Sequence, residues 1–192
     1  MKNKNFIIII IGQIISLFGS AIQRFSLSLY LLEVTGSAGT FANILAFSML
    51  PYVICAPIAG VLADRINRKK IMVYLDFISS GIIGGYAFLL LTRKDSTALI
   101  AVVMFLLSVT YTLYAPSVSA VLPQVVSEDN LMRANGVVSQ VSSLANFLGP
   151  ILAGILYGVF GITFIVIING ISFFLSGILE LFLDVPDIAM KN

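Results

Sequence analysis

Gly60-Val61-Leu62-Ala63-Asp64-Arg65-Ile66-Asn67-Arg68-Lys69-Lys70 is a short, densely charged stretch set between two long apolar runs. The flanking runs belong in hydrocarbon, so the charged stretch is a loop at the level of water and lipid head groups. Its composition also gives a direction, because loops rich in Lys and Arg stay on the cytoplasmic side of a membrane. Most of the chain can be laid out from that one loop.

Composition sets the class. Of 192 residues, 59% are hydrophobic and 10% charged, against roughly a quarter charged in a soluble domain. Water could not solvate the surface of such a chain, which reads as an integral membrane protein. Its only basic face is one loop at a bilayer surface, which argues against a nucleic-acid partner. Cys55 is the single cysteine and has no intrachain disulfide partner. There is no His, which removes the commonest metal ligand and general base. No metal-ligand spacing and no nucleophile–base–orienter set appears, so neither an enzyme nor a cofactor is expected. The start, Met1-Lys2-Asn3-Lys4 followed by Phe6 to Ile11, has the outline of a secretory signal. The apolar segment runs on past Leu29 without a small-residue cleavage site, and a first membrane span is the better reading.

A spanning helix needs about 20 mainly apolar residues. Six segments qualify, approximately Phe6–Leu32, Thr40–Leu62, Ile71–Leu91, Ala98–Ala120, Gly136–Val159 and Ile162–Leu183. They are too long and too continuously apolar for membrane β-strands. The expected fold is an all-α membrane protein, one six-helix bundle over residues 1–192 with antiparallel neighbours. An even number of spans puts Lys2, Lys4, Arg65, Arg68, Lys69, Lys70, Arg133 and Lys191 on one side, with Arg93 and Lys94 opposite. Both termini are then cytoplasmic. With no Trp, an aromatic belt rests on residues such as Tyr30, Tyr74 and Tyr157. Pro57-Ile58-Ala59-Gly60-Val61-Leu62 is echoed, with one inserted residue, by Pro150-Ile151-Leu152-Ala153-Gly154-Ile155-Leu156. The echo falls on the middle span of each group of three. It fits a three-plus-three inverted repeat, a known transporter construction, and equally chance in a low-variety apolar sequence.

Within the charged loop, Gly60 lets a neighbouring helix approach closely. Asp64 can accept hydrogen bonds or pair with a base, and Arg65, Arg68, Lys69 and Lys70 can pair with acidic groups or anionic lipid. Such a loop can latch one conformation of a moving bundle, or serve as a topology signal alone. The spacing Gly60-x-Leu62-Ala63-Asp64-Arg65-x-x-Arg68-Lys69-Lys70 resembles the loop between spans two and three of the major facilitator superfamily. That motif commonly has Gly where this chain has Asn67, and Asn also tolerates a left-handed backbone. Thr35-Gly36-Ser37, Leu122-Pro123 and Arg133-Ala134-Asn135 resemble the branch of macrolide-efflux-like and siderophore-exporter-like permeases. The resemblance covers essentially the whole chain and implies the N-terminal six of a usual twelve spans.

Span five carries Gly136, Ser139, Ser143, Asn146, Pro150 and Gly154 at helical spacing, a narrow small and polar face. Gly149-Pro150 with Ala153-Gly154 resembles part of that family's antiporter motif, with Ala145 and Ala153 where the motif has Gly. Pro150 can bend the helix; tight helix packing explains the same pattern. On span one, Gln13, Ser16, Ser20 and Arg24 share a face, with Gln23 at its edge. A charge near the bilayer centre is costly, so Arg24 either faces a central aqueous pathway or snorkels to the outer head groups. From span four, Tyr111 and Tyr114 are aromatic contacts for a substrate. Asp76 lies about two turns into span three. It is a proton carrier, because removal from water favours a neutral carboxyl, or the partner of Arg65 or Arg68, with the ion pair the stronger reading. Glu180 is expected at the interface. Glu128 and Asp129 can meet the basic loop electrostatically. Asn43 and Asn169 are expected to be buried amides that tie helices together.

These readings converge on half of a secondary transporter. It would export a small amphipathic or drug-like molecule by proton antiport and alternating access, with the substrate site between two six-span halves. The expected partners are membrane lipid, a small-molecule substrate, and a second six-span half. That half would be downstream in the same chain or another copy, which leaves open a self-pairing six-span unit. A truncated, non-transporting membrane protein is the remaining alternative.

Overall fold

The computed structural model describes residues 4–185, apart from the Asp64 side chain. Lys2 and Lys191, used above for orientation, lie outside the described residues. The chain is helical nearly throughout: α1 (Lys4–Thr35), α2 (Ala38–Ile54), α3 (Ala56–Arg65), α4 (Arg68–Leu91), α5 (Thr97–Val125) and α6 (Glu128–Leu181). Among the described residues α1, α4, α5 and α6 are each long and apolar enough to cross a membrane, and α2 with α3 makes a fifth if the bent pair is one span.

Local chemistry sets the helix ends. Ser37 and Ser96 each accept a bond from the backbone N–H three residues on, Thr40 and Leu99 respectively, both at 3.2 Å. Each satisfies one orphan donor of a first turn. Gly36 sits at φ +57°, where a side chain would be strained, and closes the tight α1–α2 turn. Asn67 caps α4 by accepting from Lys70 N–H at 3.3 Å. Its φ of −57° and ψ of 115° are not left-handed. The sequence argument that Asn replaces Gly here for its backbone tolerance is therefore corrected: its side-chain oxygen is what the position uses.

One break falls inside a segment read as a single straight span, and a second falls at Phe160–Gly161, the expected boundary between the fifth and sixth spans. The segment Thr40–Leu62 is a helix pair bent by 41°. Pro57 lies at the start of α3 and has no N–H to give back to α2, so the ladder is interrupted at Cys55. In α6 the departure from helical angles lies at Gly161 (φ +72°, ψ 179°), not at Pro150. At about 1.5 Å per residue the 54 residues of α6 would extend about 81 Å if straight. Instead both parts pack along α1. Gly149 meets Ala21 and Tyr157 meets Glu33, so α6 before Gly161 runs with α1. Asn169 meets Gln23, Ser176 meets Gly12 and Asp184 meets Asn5, so the chain after Gly161 runs against it. The chain reverses at Gly161, and α1 is held from both sides.

The buried core is divided along the bundle axis. At the end carrying Asn67, Ile9, Met72, Val121, Leu122 and Ala134 pack together. At the end carrying Asp95, Leu31, Ile83, Tyr86, Ile100 and Val166 form a second cluster. Between them lies a polar layer that includes Gln13, Ser16, Asp76, Ser79, Asn169 and Glu180, all buried. Burying polar groups is unfavourable unless they are paired, so this layer has a reason other than packing. The outer surface is apolar: Phe147 is 70% exposed and Val53 76%. Surfaces of that kind need lipid or protein against them.

Candidate functional site

The polar layer opens into a cavity of about 570 Å³, within the range of small-molecule sites. Its wall draws on α1 (Ser20, Arg24), α2 (Tyr52), α4 (Asp76), α5 (Tyr111) and α6 (Asn146). Arg24 is solvent-accessible at the cavity and donates from Nη2 to Asn146 Oδ1 at 3.0 Å. It faces the cavity rather than reaching for an outer head group. Tyr111 meets Tyr52 edge to face, with ring centroids 6.0 Å apart. The pair gives the cavity an aromatic wall where α2 meets α5.

Deeper in, three side chains form a chain of bonds across three helices. Gln13 Nε2 donates to Tyr114 Oη at 2.7 Å, and Tyr114 Oη donates to Glu180 Oε1 at 2.5 Å. Tyr114 is thus a buried bridge whose hydroxyl is committed. Glu180 is 1% exposed and Asp76 2%. The interfacial position expected for Glu180 is corrected: the chain after Gly161 turns that face inward onto α1 and α5. The expected ion pair of Asp76 with Arg65 or Arg68 is also corrected among the described residues. Asp76 packs beside Ser176 and Gly177 on α6, while Arg68 Nε donates to the Ala63 carbonyl at 3.1 Å and ties α4 to the end of α3.

The remaining loop residues are spread over the surface. Gly60 is exposed with nothing within 4 Å of an added Cβ. Leu62 packs against the core cluster at this end. Arg65 and Lys70 are exposed and Lys69 half-buried. The span-five motif splits. Gly149 and Ala153 are buried, and a Cβ at Gly149 would stand 2.6 Å from that of Ala21. Pro150 is half-buried; Asn146 and Gly154 are exposed. The packing stripe is Val141, Ala145, Gly149 and Ala153, and the small polar face read from the sequence is mostly its exposed neighbour. Asn43 is exposed, which corrects its reading as a buried amide. Asn169 is buried and donates to Gln23 Oε1. Sequence reasoning missed that pairing, and also Ser79 donating to Thr110 at 3.0 Å. Isolated hydroxyls and amides in apolar runs were the available signal.

Several apolar helices surround a cavity with a buried polar floor, and residues 9–192 match the family model described as Major Facilitator Superfamily. The chain belongs to the major facilitator superfamily. It is a multi-pass membrane protein of a family of transporters, not enzymes. This superfamily member is 29% identical to macrolide efflux protein A of Streptococcus pyogenes over 175 residues, covering 91% of this chain and 43% of the relative. It is 28% identical to macrolide efflux protein A of Enterococcus faecalis over 148 residues, 76% of this chain and 46% of the relative. The MFS-type transporter YkuC of Bacillus subtilis is 25% identical over 180 residues, 93% of this chain and 41% of the relative. The chain spans less than half the length of these curated relatives.

Proposed function

We propose that this chain is the N-terminal six-span half of a proton-driven exporter of small amphipathic molecules. The observation that carries the reading is the cavity that presents Arg24, Asp76 and the Tyr52–Tyr111 wall inside an otherwise apolar bundle. Counting α2 with α3 as one span and dividing α6 at Gly161 gives six spans, in which the echo around Pro57 and Pro150 fits a three-plus-three repeat. The Lys and Arg bias puts both termini in the cytoplasm. A second six-span half, downstream in the same chain or in another copy, closes the cavity and completes alternating access.

The substrate class follows from the wall. Aromatic faces accept a flat apolar body, and a carboxyl deeper in the cavity accepts an amine. Macrolide-like amphiphiles suit these demands, and the named efflux relatives support that choice. Binding an amine at Asp76 displaces a proton, and proton return displaces the amine, which is the exchange an antiporter needs. Gly60, Leu62, Asp64, Arg65, Arg68, Lys69 and Lys70 act as the latch that favours one conformation, with Arg68 holding α3 to α4. The test is uptake of a macrolide into everted vesicles bearing the full protein. Uptake that collapses with a protonophore supports the reading; protonophore-insensitive uptake, or none, sinks it. Retained activity in an Asp64→Asn, Arg68→Ala double variant removes the latch.

A further inference from the structure

We propose that Glu180 is a proton-binding residue that shares one buried site with Asp76, and that Tyr114 is the positioning residue that conveys its protonation to α1. This deepens the antiport reading and rests on it for its use, though not for its chemistry.

The site is built from four helical segments. From α6 come Glu180 and, one turn earlier, Ser176. From α4 comes Asp76, whose Cβ lies 3.5 Å from where a Cβ on Gly177 would stand. From α5 comes Tyr114, and from α1 come Gln13 and Ser16. The titratable groups that face Glu180 are therefore Asp76 and Tyr114. The contributions of α1 are neutral; Asp184 lies at the end of the bundle, its backbone bonded to Asn5, and Arg68 there donates to the Ala63 carbonyl. Arg24, 11 residues along α1 from Gln13, is about 16 Å away along the helix axis and is bonded to Asn146.

Two oxygens in this site have no hydrogen-bond partner: Asp76 Oδ2 and Glu180 Oε2, both fully enclosed. Two carboxylates without a cation between them cannot both stay ionised in one buried site. A proton needs no extra volume and turns an orphan acceptor into a donor. The proton goes onto Glu180 Oε2 or Asp76 Oδ2, with no other bond made or broken. Asp76 lines the cavity, so the pair has a route to water.

Tyr114 makes the protonation state legible elsewhere. Its single hydroxyl hydrogen points to Glu180 Oε1, and its lone pair accepts from Gln13. With Glu180 ionised, the Tyr114 bond is charge-assisted; with Glu180 protonated it becomes a neutral bond of roughly half the strength. The tie from α6 through α5 to α1, the helix that carries Ser20 and Arg24, tightens and slackens with that proton.

The experiment is infrared difference spectroscopy of the full protein in lipid nanodiscs during a pH titration. A carboxylic-acid C=O band should titrate in the wild type and be lost in Glu180→Gln. Asp76→Asn should shift its midpoint, because one of two interacting groups is gone. Tyr114→Phe should keep the band and move its frequency, since a hydrogen bond to that C=O is removed; this variant keeps the test decisive if Glu180→Gln does not fold. A band that survives Glu180→Gln, or whose frequency ignores Tyr114→Phe, overturns the proposal. So does a carboxylate signal that follows sodium rather than pH. If the band behaves as expected but vesicle transport ignores a protonophore, the antiport reading fails and the proton site stands.

Discussion

Gly149→Ala should loosen the bundle, and Gly154→Ala, five residues on in the same motif, should not. An added Cβ at Gly149 would stand 2.6 Å from Ala21 Cβ and 3.3 Å from the Ala21 backbone carbonyl carbon. Two carbons pack at about 3.5–4.0 Å, so α1 and α6 would have to separate by about 1 Å. Overpacking of that kind costs about 1–3 kcal/mol. Replacing Gly by Ala in a helix returns about 0.8–1.0 kcal/mol, so a 2.6 Å approach, at the severe end of that range, leaves a net loss of up to about 2 kcal/mol. At Gly154 nothing lies within 4 Å of the added carbon, so only the propensity gain remains. The assay is thermal unfolding of the purified chain in detergent, followed by size-exclusion chromatography of heated samples. Ala21→Gly, combined with Gly149→Ala, should recover most of the loss, because it removes the nearer of the two contacts. Equal stability of the two single variants, or no recovery in the double variant, would refute the close approach of α1 and α6.

Asn67→Ala removes the cap on Lys70 N–H and should cost about 1 kcal/mol in the same unfolding assay, whereas Asn67→Gly should cost only a few tenths. In a Cys55→Ser background, a cysteine at Ser96 should react with an impermeant reagent from outside cells and one at Asn67 should not; the reverse pattern overturns the orientation. Arg24→Ala should leave Asn146 Oδ1 without its donor and lower affinity for a macrolide by about tenfold or more, the loss expected for one charged hydrogen bond, measured by binding to nanodiscs. An unchanged dissociation constant would remove Arg24 from the substrate pathway.

The layout of apolar helices was readable from composition because hydrocarbon imposes it on every long segment. The faces were harder. Gln13, Ser20 and Arg24 lie on or beside the cavity because polar residues spaced along one helix share a face. The enclosure of Glu180 does not show in the sequence, because it comes from the α1 and α5 side chains packed over that face. A carboxyl near a span end reads as interfacial until the helices packed on it are known. Asp76 was sought in the wrong pairing for a related reason: charge complementarity can be read along a sequence, but the neighbours that enclose a side chain cannot. The span-five stripe was displaced by one face, since small residues sit on both the buried side and the exposed side beside it. The bend at Cys55 was within reach, as Pro57 removes a donor in mid-segment.

The central claim is that substrate and proton exchange at one cavity. Calorimetry of macrolide binding to the full protein, repeated in buffers of different protonation enthalpy, counts the protons released. The account predicts net proton release on binding by the wild type and none by Asp76→Asn. Binding without proton release in the wild type, or release that persists in Asp76→Asn and in Glu180→Gln alike, would contradict it.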